Sequence, residues 1–297
     1  MLLASHPAPS TIHLLIGPWD HEGSAEHTDR VVCVPVPPTA THRWDAYQAF
    51  FDRYLLGADV PAPPAVELFT VGPNRWRVLD AWPPPDAEST PLHLRAGGRL
   101  SFAAPDAAEP PDAFRYDPAD PVPELVGRNG WALCAALGDR RRFDHRTDVL
   151  RYVGDPVPHD VELTGPVTAR LHASSSALDT DFTVALADVF PDGTVNTIAD
   201  GILRARYRRG LDRPTLLEPG VAEDLDVDLH ATSYVVRRGH RLRVDVSSSC
   251  FDRYDRNPNT GEPFGASART VVAEQRVHHE PGRASYVVLP VRPADVR

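Results

Sequence analysis

The chain contains no lysine, so all 31 of its basic residues are arginine. They are outnumbered by 41 aspartate and glutamate residues, which gives a formal net charge of −10, and no basic run stands out. We therefore expect neither nucleic acid nor an anionic membrane surface as a partner. Because alanine and proline are abundant, the absence of lysine indicates a GC-rich coding bias rather than a chemical requirement.

Cysteines and long apolar runs are also scarce. The three cysteines, Cys33, Cys134 and Cys250, are far apart and form no C-x-x-C motif, which predicts buried thiols in a reducing compartment. No apolar run approaches the roughly 18 residues of a membrane span. The opening MLLASHPAPS lacks the basic region and the apolar length of a signal peptide. We therefore expect a cytoplasmic protein with no membrane partner.

The first part of the chain has a mixed pattern of predicted elements. Residues 41–57 carry large apolar side chains at helical spacing, which predicts an amphipathic helix that starts near Thr41 and ends at Gly57. Residues 65–71 (AVELFTV) predict a strand, and a proline-rich linker follows. The helical stripe consists of Trp44, Tyr47, Phe51 and Leu55.

From residue 90 onward, one run of alternating apolar and polar residues follows another. In RLRVDVSSS (241–249), for example, Leu242, Val244 and Val246 face one way, and the arginines and Asp245 face the other. Turn sequences such as FPDGT and RNPNTGEP separate the runs. This pattern predicts an antiparallel sheet with one buried face, in the form of a β-sandwich or jelly roll.

Three stretches resemble metal sites, and each has a simpler interpretation. In HEGSAEH (21–27) the second histidine lies six positions after the first, so the two would not share a helical face. The pair HH (278–279) ends a strand pattern, where successive side chains point opposite ways. DRYDRNPNTGE (252–262) lacks the spacing and closing glutamate of a calcium loop, and Asp and Asn also stabilise turns unaided.

The serine-rich runs do not predict a nucleophile. Ser174–Ser176 and Ser247–Ser249 lie in strand patterns, where a row of hydroxyls is typical of a half-exposed sheet surface. The nearest approach to the nucleophile motif G-x-S-x-G is GASAR (265–269), which lacks the final glycine and follows no strand. We conclude that this motif is absent from the chain.

His21 is the strongest catalytic candidate. The apolar run Leu14, Leu15, Ile16 stops at Gly17-Pro18, and His21 follows in a loop that leads to the predicted helix. In α/β-hydrolases the catalytic histidine lies in the loop after the last sheet strand, with a helix behind it.

LLIGPWDHEG (14–23) resembles the histidine motif of the CocE/NonD serine hydrolases, the group of cocaine esterase and X-Pro dipeptidyl-peptidase. FFDRYLLG, VGPNRWRVLDAWPPP, FDHRTDVLRYVGDPV and GHRLRVDVSSSCFDRYDRNPNTGE resemble later blocks of the family in the same order. The resemblance implies a C-terminal remnant of an α/β-hydrolase domain over residues 1–88. It implies a galactose-binding-domain-like jelly-roll β-sandwich over residues 89–297, so the fold class is mainly β.

The resemblance also implies a function. The family hydrolyses small ester, amide or peptide substrates with a Ser-Asp-His triad and uses no metal or cofactor, and His21 matches its catalytic histidine. After the anchor PADPVP, the stretch ELVGRNGWALCAALG departs from the family pattern, which leaves Trp131 and Leu133 as weak substrate-lining candidates.

The triad is incomplete on this chain, because in the family the serine and the acid precede the histidine. Only 20 residues stand before His21, whereas a strand–helix–strand unit takes roughly 30. Asp20 is a poor substitute, since neighbouring side chains diverge. We therefore expect a hydrolase by descent that is inactive alone and that pairs with a missing N-terminal half or self-associates. The alternative is a non-catalytic β-sandwich that binds a ligand or partner.

Overall fold

The computed structural model describes residues 12–18, 30–31, 34–35, 44–125, 139–263, 265–266 and 268–293. Strands dominate these residues. The first part of the chain holds β1 (Leu14–Ile16), β2 (Arg30–Val31), β3 (Val34–Pro35), helix α1 (Trp44–Tyr54), β4 (Val66–Thr70) and β5 (Arg75–Leu79). The sandwich strands are β6 (Glu88–Arg95), β7 (Arg99–Ser101), β8 (Glu109–Tyr116), β9 (Leu150–Pro156), β10 (Val161–Ser175), β11 (Asp181–Val189), β12 (Val195–Arg204), β13 (Glu223–Val236), β14 (Arg241–Ser247), β15 (Ala273–Glu280), β16 (Arg283–Ala284) and β17 (Tyr286–Arg292).

β1, β4 and β5 form a small sheet in which β1 and β4 run parallel. Parallel neighbours need a crossover connection, and α1 lies between these two strands in the chain. The helix predicted over 41–57 is confirmed over Trp44–Tyr54, and the predicted strand 65–71 is confirmed as β4. Thr41 lies outside the described residues.

The larger sheet folds over itself as the predicted sandwich. β12, β11, β14 and β9 are neighbours in one layer, and β13, β10, β17 and β6 are neighbours in the facing layer. Face-to-face packing of β12 against β13 closes the two layers. Among the described strands of this sheet, every pairing is antiparallel except the short contact of β7 with β9. The mainly β, jelly-roll fold class is therefore confirmed.

The alternating apolar side chains meet between the layers. Leu171 of β10, Val227 of β13 and Val244 of β14 are at most 1% exposed and belong to one continuous core. Burial of each such side chain stabilises the fold by roughly 1.5–3 kcal/mol. At Gly201 the two layers approach so closely that an added Cβ would lie 1.9 Å from the carbonyl oxygen of Asp228.

The prediction that only one face of the sheet is buried is wrong at β14. Arg243 and Asp245 are 4% and 2% exposed, because the segment that carries Arg140 and Asp144 covers this face of the sheet. Arg243 donates from Nε to Asp245 (2.6 Å) and from a terminal nitrogen to Asp144 (2.8 Å). Burial of these charges is possible because each one is paired.

β4 and β5 also contact the sandwich. Phe69 and Val71 belong to the continuous core. The Val71 amide donates to the Ser233 carbonyl (3.0 Å), and the Val235 amide donates to the Val71 carbonyl (2.9 Å). The division of the chain at residues 88 and 89 stays a prediction, and these contacts tie residues 66–79 to the second part.

Candidate functional site

His21 itself lies outside the described residues, as does Asp20, but the strand that precedes them is described. β1 ends at Ile16, and Gly17 and Pro18 follow. The register with β4 runs from Leu14 opposite Val66 to Ile16 opposite Leu68. The chain therefore enters the His21 loop from the carboxyl end of a parallel strand, which is the edge where α/β sheets place their active sites.

His13, which the sequence did not mark as a candidate, fixes the start of β1. Its Nδ1 donates to the Pro64 carbonyl (3.0 Å), which leaves Nε2 of a neutral ring to accept from the Tyr54 hydroxyl (2.8 Å). The imidazole thus joins β1 to the end of α1 and to the chain just before β4. His13 therefore has a structural role, and both of its ring nitrogens are hydrogen-bonded.

The helix α1 and the residue that follows it present aromatic and aliphatic side chains to solvent. α1 has no buried residue, and Trp44, Phe51 and Leu55 are 63%, 50% and 74% exposed. Among the described residues, β1 pairs with β4 alone, so its other edge carries free backbone groups. We call the exposed side of α1 together with this edge of β1 the open face.

The weak substrate-lining candidates cannot be placed. Trp131 and Leu133 fall within residues 126–138, which lie outside the described residues. Leu125 on one side of this stretch is buried with Phe143 in a small apolar cluster.

Apart from Ser176, which is exposed, the serines of both runs are buried rather than half-exposed, so that expectation is wrong. Ser174 and Ser175 are 6% and 2% exposed, and the second run is equally buried. The Ser174 hydroxyl lies 3.0 Å from Nε2 of His278, a pair that only the strand register brings together. No carboxylate among the described residues bonds His278, and burial lowers its pKa. A buried serine with an unsupported histidine does not form a hydrolytic site.

The predicted metal-like stretches also receive structural explanations. His278 and His279 point to opposite faces of β15, and His279 is buried with Nε2 donating to Asp112 (3.0 Å). In the 252–262 loop, Asn257 is buried and donates to Asp179 and Asp181 at 2.9 and 2.7 Å.

Arginines supply the positive charge at these two aspartates. Arg206 pairs with Asp179 (2.8 Å) and Arg204 with Asp181 (2.9 Å). Within the part of the chain that the structure describes, no group of three or more His, Cys, Asp or Glu residues has the arrangement of a metal site. No described helix has the length and apolar character that crossing a bilayer requires.

Comparison with known proteins assigns the chain to a family. Residues 58–288 match the X-Pro dipeptidyl-peptidase C-terminal non-catalytic domain. The cocaine esterase of Rhodococcus sp. (strain MB1 Bresler) is 41% identical over 302 residues, which cover 94% of this chain and 51% of that protein.

Solved structures agree with this assignment. An α-amino acid ester hydrolase superposes with a TM-score of 0.85 and 32% identity, over 94% of this chain and 50% of that one. An aminopeptidase from a marine sediment Thaumarchaeota archaeon superposes with a TM-score of 0.88 and 28% identity, over 98% of this chain and 51% of that one. The chain thus spans about half the length of the relatives it matches. It belongs to the X-Pro dipeptidyl-peptidase C-terminal domain family and corresponds to the C-terminal region of CocE/NonD hydrolases.

Proposed function

We propose that this chain supplies the catalytic histidine and the β-sandwich of a CocE/NonD hydrolase that cleaves small esters or amides. In this proposal the serine and the acid come from polypeptide outside the 297 residues, and the isolated chain is inactive. His21 acts as general base to the serine hydroxyl and then returns the proton to the leaving group.

The observation that carries the proposal is the parallel pairing of β1 with β4, with α1 between them in the chain. His21 follows the carboxyl end of β1 by five residues in the sequence. In this proposal the histidine lies at that edge of the sheet, where α/β folds place their active sites. The chain contains no G-x-S-x-G motif, so the histidine needs a nucleophile from elsewhere.

The open face supports the same conclusion. Each large apolar side chain left in water forgoes roughly 1.5–3 kcal/mol of burial, and a free strand edge favours pairing with another strand. Trp44 and Phe51 of α1, and Leu55 directly after it, are exposed, and β1 has such an edge among the described residues. A polypeptide that adds strands next to β1 and covers α1 would bury both features and bring its serine to the His21 loop.

The alternative, an independent binding module, predicts a sealed and polar α1. The exposed aromatic side of α1 favours the hydrolase part over this alternative.

Joining the N-terminal half of the Rhodococcus cocaine esterase to residue 1 of this chain tests the proposal. We expect the joined protein to hydrolyse p-nitrophenyl esters and the isolated chain to hydrolyse neither these esters nor Xaa-Pro amides. In the joined protein, His21→Ala should lower kcat by about 10⁴-fold or more, because the serine then lacks its base.

His27→Ala is the matched control, since it removes the histidine six residues after His21 in the sequence and should leave kcat unchanged. A joined protein that melts cooperatively but has no activity would contradict the proposal. So would hydrolysis by the isolated chain that disappears with His21→Ala and with a serine-directed phosphonate.

A further inference from the structure

The β-sandwich contains a cavity of about 610 Å³, which lies against β11, β12 and β14. Its other walls are the segment 122–125, the short 3-10 helix Arg140–Phe143 and the segment 250–254. This volume falls within the usual range of small-molecule sites. We call it the sandwich cavity. No sequence motif marked it.

Backbone pairing between two of these walls sets the position of the polar groups. The Phe251 amide donates to the Val122 carbonyl (2.8 Å), and the Glu124 amide donates to the Phe251 carbonyl (2.6 Å). Pro123 and Phe251 form a parallel bridge. Glu124 and Asp252, the residues that follow them, both line the cavity.

One side of the cavity is apolar. Leu125, Phe143 and Val149 form a buried cluster and also line the cavity. Ala185 of β11 also lines the cavity, whereas the side chain of the preceding residue, Val184, belongs to the core between the layers. A ligand that fills the cavity therefore needs an apolar group.

The described charged side chains of the lining carry a net negative charge. Among the described residues the lining has three carboxylates and two guanidiniums, those of Glu124, Asp200, Asp252, Arg140 and Arg253. Arg253 pairs with Asp200 (2.7 Å). Arg140 pairs with Asp245 (2.7 Å), which is not one of the residues that line the cavity. Among the described residues, the carboxylates of Glu124 and Asp252 have no hydrogen bond or ion pair.

Two titratable groups respond to this environment. Burial raises the pKa of Glu124, and the nearby carboxylates of Asp252 and Asp200 raise it further, against the opposing charge of Arg253. Burial, followed by the charges of Asp200 and Glu124, raises the pKa of the Cys250 thiol to about 12.

Two residues of the lining carry hydroxyls without a described partner. The hydroxyl oxygens of Ser247 and Thr197 are buried and have no hydrogen-bond partner among the described residues.

We propose that the sandwich cavity binds a protonated amine that carries an apolar group about the size of one aromatic ring. The ammonium group lies between Glu124 and Asp252, where it supplies the missing positive charge. Tyr254 also lines the cavity, and the Arg253 guanidinium lies 5.2 Å from the centroid of its ring. The apolar group packs against Phe143 and Leu125. A small anion is disfavoured by the net charge of the lining.

Isothermal titration calorimetry with the full chain tests the site. Benzylamine is the probe, and benzyl alcohol is its neutral analogue of the same shape. Because a charge-assisted hydrogen bond is stronger than a neutral one, benzylamine should bind at least about tenfold more tightly. Glu124→Gln with Asp252→Asn should remove that difference, whereas the exposed Glu218→Gln should not.

Cys250 lines the cavity, so a larger side chain there tests where the probe binds. Cys250→Phe should weaken benzylamine binding, and an unchanged affinity would overturn the proposal. A thermal melt confirms that the double carboxylate variant is folded, and Asp252→Asn alone serves as a milder version.

Absence of binding, equal affinity for the two probes, or an equal loss with Glu218→Gln would overturn the proposal. The site lies within the sandwich, so these results do not depend on whether the chain supports ester hydrolysis.

Discussion

Removal of one buried carboxylate should destabilise the protein far more than removal of an exposed carboxylate that is also held by an arginine. Asp245 is 2% exposed and accepts from Arg243 at 2.6 and 3.2 Å and from Arg140 at 2.7 Å. Asp245→Ala leaves two guanidiniums with too few acceptors, one of them almost fully buried. Deleting one partner of a buried ion pair costs about 3–5 kcal/mol.

Asp226→Ala is the matched comparison. Asp226 accepts two hydrogen bonds from Arg170, at 2.7 and 2.8 Å, but the two side chains are 66% and 45% exposed. Water replaces the lost partner at such a site, so the cost should be about 0–1 kcal/mol. Both variants remove a carboxylate held by an arginine on a strand of the sandwich.

Urea unfolding at neutral pH, followed by far-UV circular dichroism, measures both free energies of unfolding. We also expect Asp245→Ala to weaken amine binding, because Arg140 anchors one wall of the sandwich cavity. Equal losses of stability in the two variants would refute the reasoning, since burial would then not set the cost.

Three further predictions follow from local geometry. Gly201→Ala should destabilise the protein by at least about 1–3 kcal/mol, because the facing strand leaves no room for a methyl group. Gly154→Ala is the control, because the nearest atoms to an added Cβ there lie 3.6 Å away or farther. Equal urea midpoints for the two variants would contradict this. The Arg95 guanidinium holds the pKa of Glu109 below its ordinary value of 4.5, so the pair stabilises the fold above pH 4.5 and ceases to do so as the pH falls through the lowered pKa. Glu109→Gln should therefore be less stable than the unchanged protein at about pH 7 but not in strong acid. A difference in urea midpoints that does not depend on pH would contradict this. Limited proteolysis should leave a core that begins within residues 57–65, since α1 is exposed and β4 is bonded to the sandwich. Mass spectrometry identifies the first residue of that core, and a core that begins after β5 would contradict this.

The sequence by itself determined the strands and the helix in which apolar side chains recur at a regular spacing. The alternation through β10, β13 and β14 predicted the sandwich, because apolar residues two apart must face the same core. The spacing of Trp44, Tyr47 and Phe51 predicted α1. The run before His21 predicted a strand and a loop, and the motif around it predicted the family that the comparisons assign.

Only the tertiary structure decided which polar groups meet. Burial of Arg243 and Asp245 depends on a distant segment that covers β14, which the local alternation cannot reveal. Likewise, Glu124 and Asp252 are far apart in the chain, and only the backbone bridge of Pro123 with Phe251 places them beside the same cavity. Periodicity encodes which face of an element is apolar, whereas contacts between elements depend on register and layer packing, which no local pattern specifies.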